Sequence, residues 1–173
     1  HGNEKFRRDV VKRNYSNDLA VKLMKVPEEL GIPFSVNNII GFPGETRKLA
    51  FDTVELNRNF NSDSISCSVF VPFHGTELRD VAEKQGLVDK NYIFTTSNSS
   101  DEGVLDMPQW PRKEVAKLRN TFTMYVKFPK SRWPEIEKAE TDPVLFNKLS
   151  NEYVDTFWSK KDEDLKDAVK GLF

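Results

Sequence analysis

The sequence predicts an α/β fold with a parallel sheet, followed by a helical region. Two strand-like segments, near residues 34–41 and 63–72, alternate with segments whose apolar residues recur at helical spacing. Such alternation is typical of βα units. After Gly86 only helical patterns follow. We therefore divide the chain into an α/β part over 1–95, a loop or linker over 96–112 and a helical region over 113–173.

Two helical patterns precede the first strand. Residues 4–14 carry apolar side chains four positions apart, which predicts a short amphipathic helix. Ser16 or Asn17 is a suitable cap for the second helix, because both residue types accept hydrogen bonds from the amides of a first turn. Pro27 lacks a backbone N–H, so we expect this helix to end or kink there. Gly31 closes the segment.

Later helices are marked by their caps and by their periodicity. Thr46 precedes a helical pattern that runs to about residue 60, and Thr76 and Gly86 bracket the next one. The helical region contains one longer pattern and three shorter ones, over residues 112–128, 131–140, 143–158 and 162–173. Residues 95–103 are polar and are predicted to form a loop.

The two strands differ between their faces. One face is mainly apolar, and the other carries serines and an asparagine: Ser35, Asn37, Ile39 and Gly41 on the first strand, and Ser64, Ser66, Ser68 and Phe70 on the second. Strands of buried parallel sheets are usually apolar on both faces. Each buried polar group without a partner costs about 1–3 kcal/mol. The polar face is therefore expected to meet water, a ligand or a barrel interior; an antiparallel or edge arrangement facing solvent is the alternative.

The first strand ends in the segment NNIIGFPGET, residues 37–46. Gly41 would let the backbone approach a bound molecule closely, and Pro43 with Gly44 predicts a tight turn with Gly44 at positive φ. The helix that starts after Glu45 offers free amides to polar groups. Ligands of α/β folds bind at the carboxyl ends of strands, so the corner indicates a small-molecule site. A purely structural turn would give the same pattern.

Composition limits the class of protein. The 173 residues carry a net charge of −1, from 26 basic and 27 acidic residues, so the general basic footprint of a nucleic-acid binder is absent. The single cysteine, Cys67, is interpreted as a core thiol. No apolar stretch approaches the about 18 residues of a membrane span, and a cytoplasmic location is expected by default. The opening residues are typical of a chain interior, so we expect a fragment.

Several segments together resemble radical S-adenosylmethionine enzymes, most closely the class with a cobalamin-binding domain ahead of the radical domain. HGNEKFRRDVVKRNYSND, residues 1–18, is similar to the segment that follows the fourth barrel strand. NNIIGFPGET resembles the end of the fifth strand, and VPFHGTEL, residues 71–78, the end of the sixth. The resemblance covers nearly the whole chain. It implies a partial (β/α) TIM-type barrel, about the fourth to sixth βα units, with an α-helical C-terminal region.

The resemblance also implies roles for particular residues. Seven positions are expected to contribute to binding S-adenosylmethionine: His1, Asn37, Ile39, Gly41, Gly44, Val71 and Pro72. Glu45 is expected to hold the turn and helix start. His74 is interpreted as a solvated loop residue, with a catalytic base as the alternative.

The chain departs from the family in one decisive respect. Family members hold an iron–sulfur cluster with a CxxxCxxC loop, and thiolates are the usual cluster ligands. One cysteine cannot do this. We therefore expect the cluster, the cobalamin and the first strands to belong to a missing N-terminal part of the same enzyme, with the present chain binding no cofactor stably and being inactive alone. No catalytic residue and no metal ligand is assigned to it.

Two alternatives from other classes remain open. The chain could be a non-catalytic binding or interaction module derived from the same fold, because exposed strand edges of an open barrel favour association with a partner or with itself. Alternatively, MYVKFPKSRWP, residues 124–134, interleaves basic and aromatic residues, a pattern that can stack RNA bases. An amphipathic helix followed by a Trp-Pro turn explains that segment better, and no nucleic-acid or membrane partner is expected.

Overall fold

The computed structural model describes residues 1–93 and 104–158 and confirms the α/β class. Strand β1 (Ser35–Ile40) pairs in parallel with strand β2 (Ser64–Val69), in a register that runs from Ser35 opposite Ser64 to Ile40 opposite Val69. Within the described residues the helices are α1 (Glu4–Asp9), α2 (Asn17–Glu29), α3 (Arg47–Asn57), α4 (Glu77–Lys84), α5 (Arg112–Lys127), α6 (Trp133–Ala139) and α7 (Pro143–Phe157). The predicted polar loop at 95–103 and the predicted last helix at 162–173 lie outside the described residues.

Three helices begin where their caps predict. The side chains of Ser16, Thr46 and Thr76 accept hydrogen bonds from backbone N–H groups three residues later, which satisfies amides that lack a partner inside the helix. Gly31 and Gly86 adopt φ of 64° and 67° just after α2 and α4. This left-handed conformation costs glycine little and ends a helix cleanly.

Two helix boundaries differ from the sequence prediction. Helix α1 ends at Asp9 instead of continuing to residue 14. The guanidinium of Arg7 donates to the backbone carbonyl of Tyr15 and to Oδ1 of Asn17, which draws the chain into a turn toward α2. Helix α2 also passes through Pro27 and ends at Glu29. Because Pro27 lies in the last turn of α2, its missing N–H removes only one late hydrogen bond.

The hydrophobic core lies on one face of the sheet, beneath α3 and α5. Helix α5 packs directly on β2 and α3, and its Val115, Leu118, Phe122 and Tyr125 are buried, as their spacing predicts. Residues before α5 also join the core through Leu105, Met107 and Trp110. No helix within residues 1–93 and 104–158 has the length and apolar content needed to cross a membrane.

The side chain of Arg58 links helix α5 to the α/β part through hydrogen bonds. Nη1 of Arg58, just after α3, donates to the carbonyls of Tyr125, Val126 and Phe128, at 2.8, 2.7 and 2.7 Å. The carbonyls of Tyr125 and Val126 belong to the last turn of α5, that of Phe128 follows directly, and none has a partner inside the helix. Arg58 therefore acts as a distant cap of α5.

The RNA-binding alternative depended on aromatic rings that the fold places in the core. Tyr125 and Phe128 are 2% and 3% exposed. Trp133 packs against both Phe51 and Tyr125, with ring centroids 5.4 and 5.6 Å away. Bases stack only on rings with a free face, so the pattern in this segment is explained by packing.

Candidate functional site

The polar face of the sheet is open in the described part of the chain. Ser35, Asn37 and Ile39 of β1 and Ser66 and Ser68 of β2 are exposed, and Ile39 has 46% of its surface accessible. The hydroxyl of Ser66 donates to Oδ1 of Asn37 at 2.7 Å, which links the two strands across this face. The strands are parallel, so the antiparallel form of the alternative is wrong, whereas its edge form, with the polar face exposed, describes the sheet in the described residues. The serines avoid the cost of burial because the face is open.

On the opposite face of the sheet, the buried side chain of Asn38 finds its hydrogen-bond partners within the protein. Asn38 is 8% exposed and faces Asn57 of α3, which is 1% exposed. Each side-chain amide donates to the other's oxygen, at 3.0 and 2.8 Å. Asn57 Nδ2 also donates to the carbonyl of Thr53, and Asn38 Nδ2 to that of Ser66. Sequence reasoning missed this pair because its members are 19 positions apart and belong to different elements.

The GFPGE corner is a tight turn at the carboxyl end of β1. The N–H of Glu45 donates to the carbonyl of Phe42 at 2.9 Å, closing a four-residue turn. Pro43 occupies its second position and Gly44, with φ of 79°, its third. This is the chemistry of a type II turn, in which the third residue requires positive φ. The predicted positive φ of Gly44 is therefore observed.

The carboxyl group of Glu45 holds the corner from inside. It is fully buried, and its Oε2 accepts hydrogen bonds from the backbone N–H groups of Gly41 and Phe42, at 2.6 and 2.9 Å. Its Oε1 lies 2.9 Å from Nε2 of His1. The N–H of Asn3 donates to Nδ1 of His1, so Nε2 carries the ring proton and donates to Glu45. Glu45 thus satisfies three buried donors and joins residues 44 positions apart.

His1 is therefore part of the packing of the corner. Its side chain has 0% of its surface exposed and lies against the ring of Phe6, with centroids 4.6 Å apart. Its carbonyl accepts from Nη1 of Arg7 at 2.6 Å. Both ring nitrogens and the carbonyl are engaged within the protein. The cofactor contact that we predict for His1 stays a prediction.

Gly41 is required by the fold itself. Its φ of 86° is disfavoured for other residues, and a Cβ at this position would lie 3.1 Å from Cγ1 of Val115 and 3.4 Å from Cγ1 of Val69. The close approach is therefore to helix α5 and to β2. Any approach of a cofactor to Gly41 is additional to this packing and stays a prediction.

Gly2 is a second position at which the fold has no room for a side chain, and the sequence analysis did not identify it. A Cβ on Gly2 would lie 1.9 Å from the backbone oxygen of Asp52 in α3, and the N–H of Gly2 donates to Oγ1 of Thr53 at 2.8 Å. The segment before α1 therefore rests directly on the backbone of α3. No local sequence signal reveals this contact, because only the fold brings residues 2 and 52 together.

Val71 and Pro72 lie just past the end of β2. Pro72 is buried, and its carbonyl accepts from Nη1 of Arg79 at 3.3 Å, while the carbonyl of Val71 accepts from the N–H of Phe73. Arg79 is 1% exposed and also donates to the carbonyl of Asp89. Arg79 therefore holds the segment after β2 in place. The predicted backbone contact of Val71 and Pro72 with adenine is not tested by this arrangement.

His74 lies at the exposed rim beyond β2. Its Nε2 is 3.0 Å from the backbone carbonyl of Tyr92, and because a carbonyl only accepts, this nitrogen donates. A histidine that is hydrogen-bonded to a loop carbonyl and exposed to water matches the solvated-loop interpretation. Within residues 1–93 and 104–158, the contact shown for its ring is this backbone carbonyl and not a carboxylate.

The described residues do not fit an iron–sulfur cluster. Cys67 lies in β2 on the core side, and burial raises the pKa of its thiol, with the charge of Glu45 adding to the shift. Thiolates are the ligands that such clusters need. Within residues 1–93 and 104–158, no group of three potential metal-ligating side chains comes together.

The predicted site residues thus fall into three groups along the ends of the two strands. Asn37 and Ile39 lie on the open face, His1, Gly41 and Gly44 form the corner, and Val71 and Pro72 follow β2. Comparison of the chain with protein-family models gives no match. A comparison with curated proteins gives no match either.

Proposed function

We propose that this chain is the C-terminal portion of a radical S-adenosylmethionine enzyme of the cobalamin-binding class. Its two strands and their helices would be about the fourth to sixth βα units of a partial TIM-type barrel. The observation that carries the proposal is the open polar face beside the rigid corner, at the carboxyl ends of parallel strands. Closed into a barrel, this face would need a polar neighbour such as a bound ligand, and barrel enzymes bind their ligands at this end.

The residues of the open face and the corner would form one wall of an S-adenosylmethionine site. Asn37 has an amide nitrogen available for a hydrogen bond, since its Oδ1 already accepts from Ser66. Ile39 offers exposed apolar surface for a ring, and Gly41 and Gly44 give the adjoining backbone its shape. Val71 and Pro72 would complete the wall from the segment after β2, and His1 would contribute by holding the corner through Glu45. Cleaved by one electron from a cluster held elsewhere in the enzyme, S-adenosylmethionine would supply a radical that abstracts hydrogen from an unreactive carbon; these residues would bind and orient it.

The iron–sulfur cluster and cobalamin would be held by other parts of the parent enzyme. The one cysteine of this chain lies in the core, and no metal-ligating group forms among the described residues. The chain would therefore be inactive alone and would need the missing N-terminal part as its partner. The parent would act in the cytoplasm, in a methyl transfer or another radical reaction.

The first experiment determines the native gene product by intact mass and by sequencing upstream of His1. The proposal expects a chain extended by roughly the rest of a barrel, which takes about 250 residues in total, and containing CxxxCxxC. The cluster-loaded full protein is then titrated with S-adenosylmethionine. Asn37→Ala is expected to weaken binding about two- to tenfold, the effect of one hydrogen bond. The matched control is Asn59→Ala, at an exposed position that follows the C-terminal end of α3 in the sequence.

Two results would refute the proposal. One is an upstream sequence without the three-cysteine motif. The other is a cluster-loaded protein that fails to bind S-adenosylmethionine, or that binds it equally well with and without Asn37. In either case the polar face would need another explanation.

A non-catalytic interaction module is the second candidate, and the exposure of helix α2 favours it. None of the residues of α2 is buried, and its apolar side chains remain accessible to water. Exposed apolar surface of this extent marks interaction sites. This candidate expects a native chain that begins near His1 and sediments as a dimer or with a partner. A monomer with an upstream cluster motif would exclude it.

A further inference from the structure

The C-terminal helices border a cavity of about 240 Å³ that neither strand lines. It lies where the middle of α5 meets the end of α6 and the start of α7. Its lining includes Lys117 and Asn120 of α5, Glu140 and Asp142 of the turn between α6 and α7, and Phe146 of α7. Sites for drug-sized ligands measure roughly 300–1,000 Å³, so this cavity suits a smaller molecule.

Glu140 brings a buried carboxylate to this cavity. Its side chain has only 6% of its surface exposed. Its Oε1 accepts from Nη2 of Arg47 at 2.7 Å, from the hydroxyl of Tyr125 at 2.9 Å and from that of Thr121 at 3.2 Å. Its Oε2 accepts no hydrogen bond within residues 1–93 and 104–158. Because the rest of the side chain is enclosed, this second oxygen is reached from the cavity, with its capacity to accept hydrogen bonds unused.

Asp142 brings a second carboxylate oxygen to the same cavity. Its Oδ1 caps α7 by accepting from the N–H groups of Val144 and Leu145, at 2.9 and 3.1 Å. In the described part of the chain, its Oδ2 accepts no hydrogen bond. Glu140 and Asp142 therefore each use one oxygen to hold the fold and leave the other for a molecule in the cavity.

The charged side chains that line the cavity, together with their ion-pair partners, leave one negative charge in excess. Lys117 is paired with Glu114, with Nζ 2.6 Å from Oε1, and Glu140 is paired with Arg47. Asp142 has no basic partner among the described residues. A ligand with one positive charge would balance this excess. An anion would be repelled by it and would find the first amides of α7 already capped.

We propose that this cavity binds a small primary ammonium compound, with its amine on a short alkyl chain. An ammonium group has three N–H donors. Two of them are accepted by Oε2 of Glu140 and Oδ2 of Asp142. The third is accepted by Oδ1 of Asn120, which otherwise accepts from Nη1 of Arg119. The alkyl chain packs on the ring of Phe146.

The donor set suits an ammonium group better than a divalent metal ion. Calcium takes six to eight oxygen ligands, and magnesium needs a near-ideal octahedron. Within residues 1–93 and 104–158, no group of three potential metal-ligating side chains forms. The cavity lies in the helical region and is lined by neither strand, so this inference is independent of the proposed function.

The test titrates the isotope-labelled chain with propylammonium chloride and follows its backbone amide resonances by NMR. Two matched probes use the same ionic strength: 1-propanol keeps the alkyl chain without a charge, and sodium propionate reverses the charge. We expect propylammonium to shift the amides of Thr121, Thr141 and Asp142 and to saturate with a Kd on the order of 1–10 mM. Propanol and propionate should bind at least about tenfold more weakly, because they cannot make the charge-assisted hydrogen bonds.

Asp142→Asn separates the charge of the cavity from the stability of α7. Asparagine caps helices as well as aspartate does, so the variant should keep the cap and the melting temperature of the wild type. It should bind propylammonium about tenfold more weakly, since one charged acceptor becomes neutral. The matched control is Asp155→Asn, which removes the same charge from an exposed position of α7 that does not line the cavity. This control should bind as the wild type does.

Three outcomes would overturn the proposal. Propanol could bind as tightly as propylammonium, which would show that the cavity does not recognise the charge. Asp142→Asn and Asp155→Asn could weaken binding equally, which would assign the effect to the overall charge of the helical region. The amide shifts could also rise linearly without saturation, which would show that no site exists. None of these readouts involves S-adenosylmethionine, so failure of the proposed function would leave the ammonium result intact, and the converse also holds.

Discussion

The carboxyl group of Glu45 is the point at which the candidate site is most easily broken. It accepts hydrogen bonds from the buried N–H groups of Gly41 and Phe42 and from the buried ring of His1. Its side chain is inaccessible to water, so no solvent molecule can replace it without rearrangement. Glu45→Ala would leave three donors without an acceptor. Glu45→Gln keeps the shape and one oxygen.

The magnitudes of the two changes follow from the number of donors that each leaves unpaired. An unpaired buried donor costs about 1–3 kcal/mol, so Glu45→Ala is expected to lower the free energy of unfolding by about 3 kcal/mol or more. In Glu45→Gln the amide oxygen can still accept from Gly41 and Phe42. Its NH₂ group would face the Nε2–H of His1, donor against donor, at a cost of about 1–3 kcal/mol.

The assay is urea denaturation at neutral pH, followed by circular dichroism. The expected order of stability is wild type, then Glu45→Gln, then Glu45→Ala, with the exposed Glu29→Ala within about 0.5 kcal/mol of wild type. The reasoning fails if the free energy of unfolding of Glu45→Ala lies within about 1 kcal/mol of wild type, because each of the three unpaired donors should cost at least about 1 kcal/mol. It also fails if Glu45→Gln and Glu45→Ala lower the free energy of unfolding equally, since the hydrogen bonds from the N–H groups of Gly41 and Phe42 would then contribute nothing.

Two further predictions concern the packing of α5. Arg58→Met removes the donors to three carbonyls at the C-terminal end of α5 and should lower the free energy of unfolding in urea by about 1–3 kcal/mol. A loss equal to that of the exposed Arg8→Met would contradict the capping role. Burial, together with Glu140, raises the pKa of Tyr125 above its usual 10.0. Its contribution to stability is therefore complete below pH 10 and declines as pH rises further, because the unfolded state ionises first. Tyr125→Phe should flatten that decline in alkaline denaturation, whereas Tyr15→Phe should leave it unchanged.

The helix starts and turns could be predicted because their causes are local. Ser16, Thr46 and Thr76 cap their helices through amides three residues away. Gly44 takes positive φ because the Pro-Gly turn that contains it needs such a residue. Helix α1 was predicted too long, because the residues that turn the chain after Asp9 act on it from the start of α2.

The candidate site was predicted only in outline. The alternation of β1 and β2 predicted which side chains share a face, and the polar face is the exposed one. Alternation placed Asn38 on the same face as the buried Ile40 but did not predict its hydrogen-bond partner, because Asn57 comes from another element. Nor did it predict that the space next to Gly41 is filled by Val115, 74 positions further along the chain.

The sequence by itself determined the succession of helices and strands, the caps, the turn at Pro43-Gly44 and the absence of a cysteine set for a cluster. These properties depend on residue type or on contacts within one helical turn. The tertiary structure decided that Glu45 would hold His1 and the corner together, that Gly2 would lie on Asp52, and that the apolar side chains of α2 would stay accessible to water. Such contacts join residues far apart in the chain, so they exist only once the elements have packed.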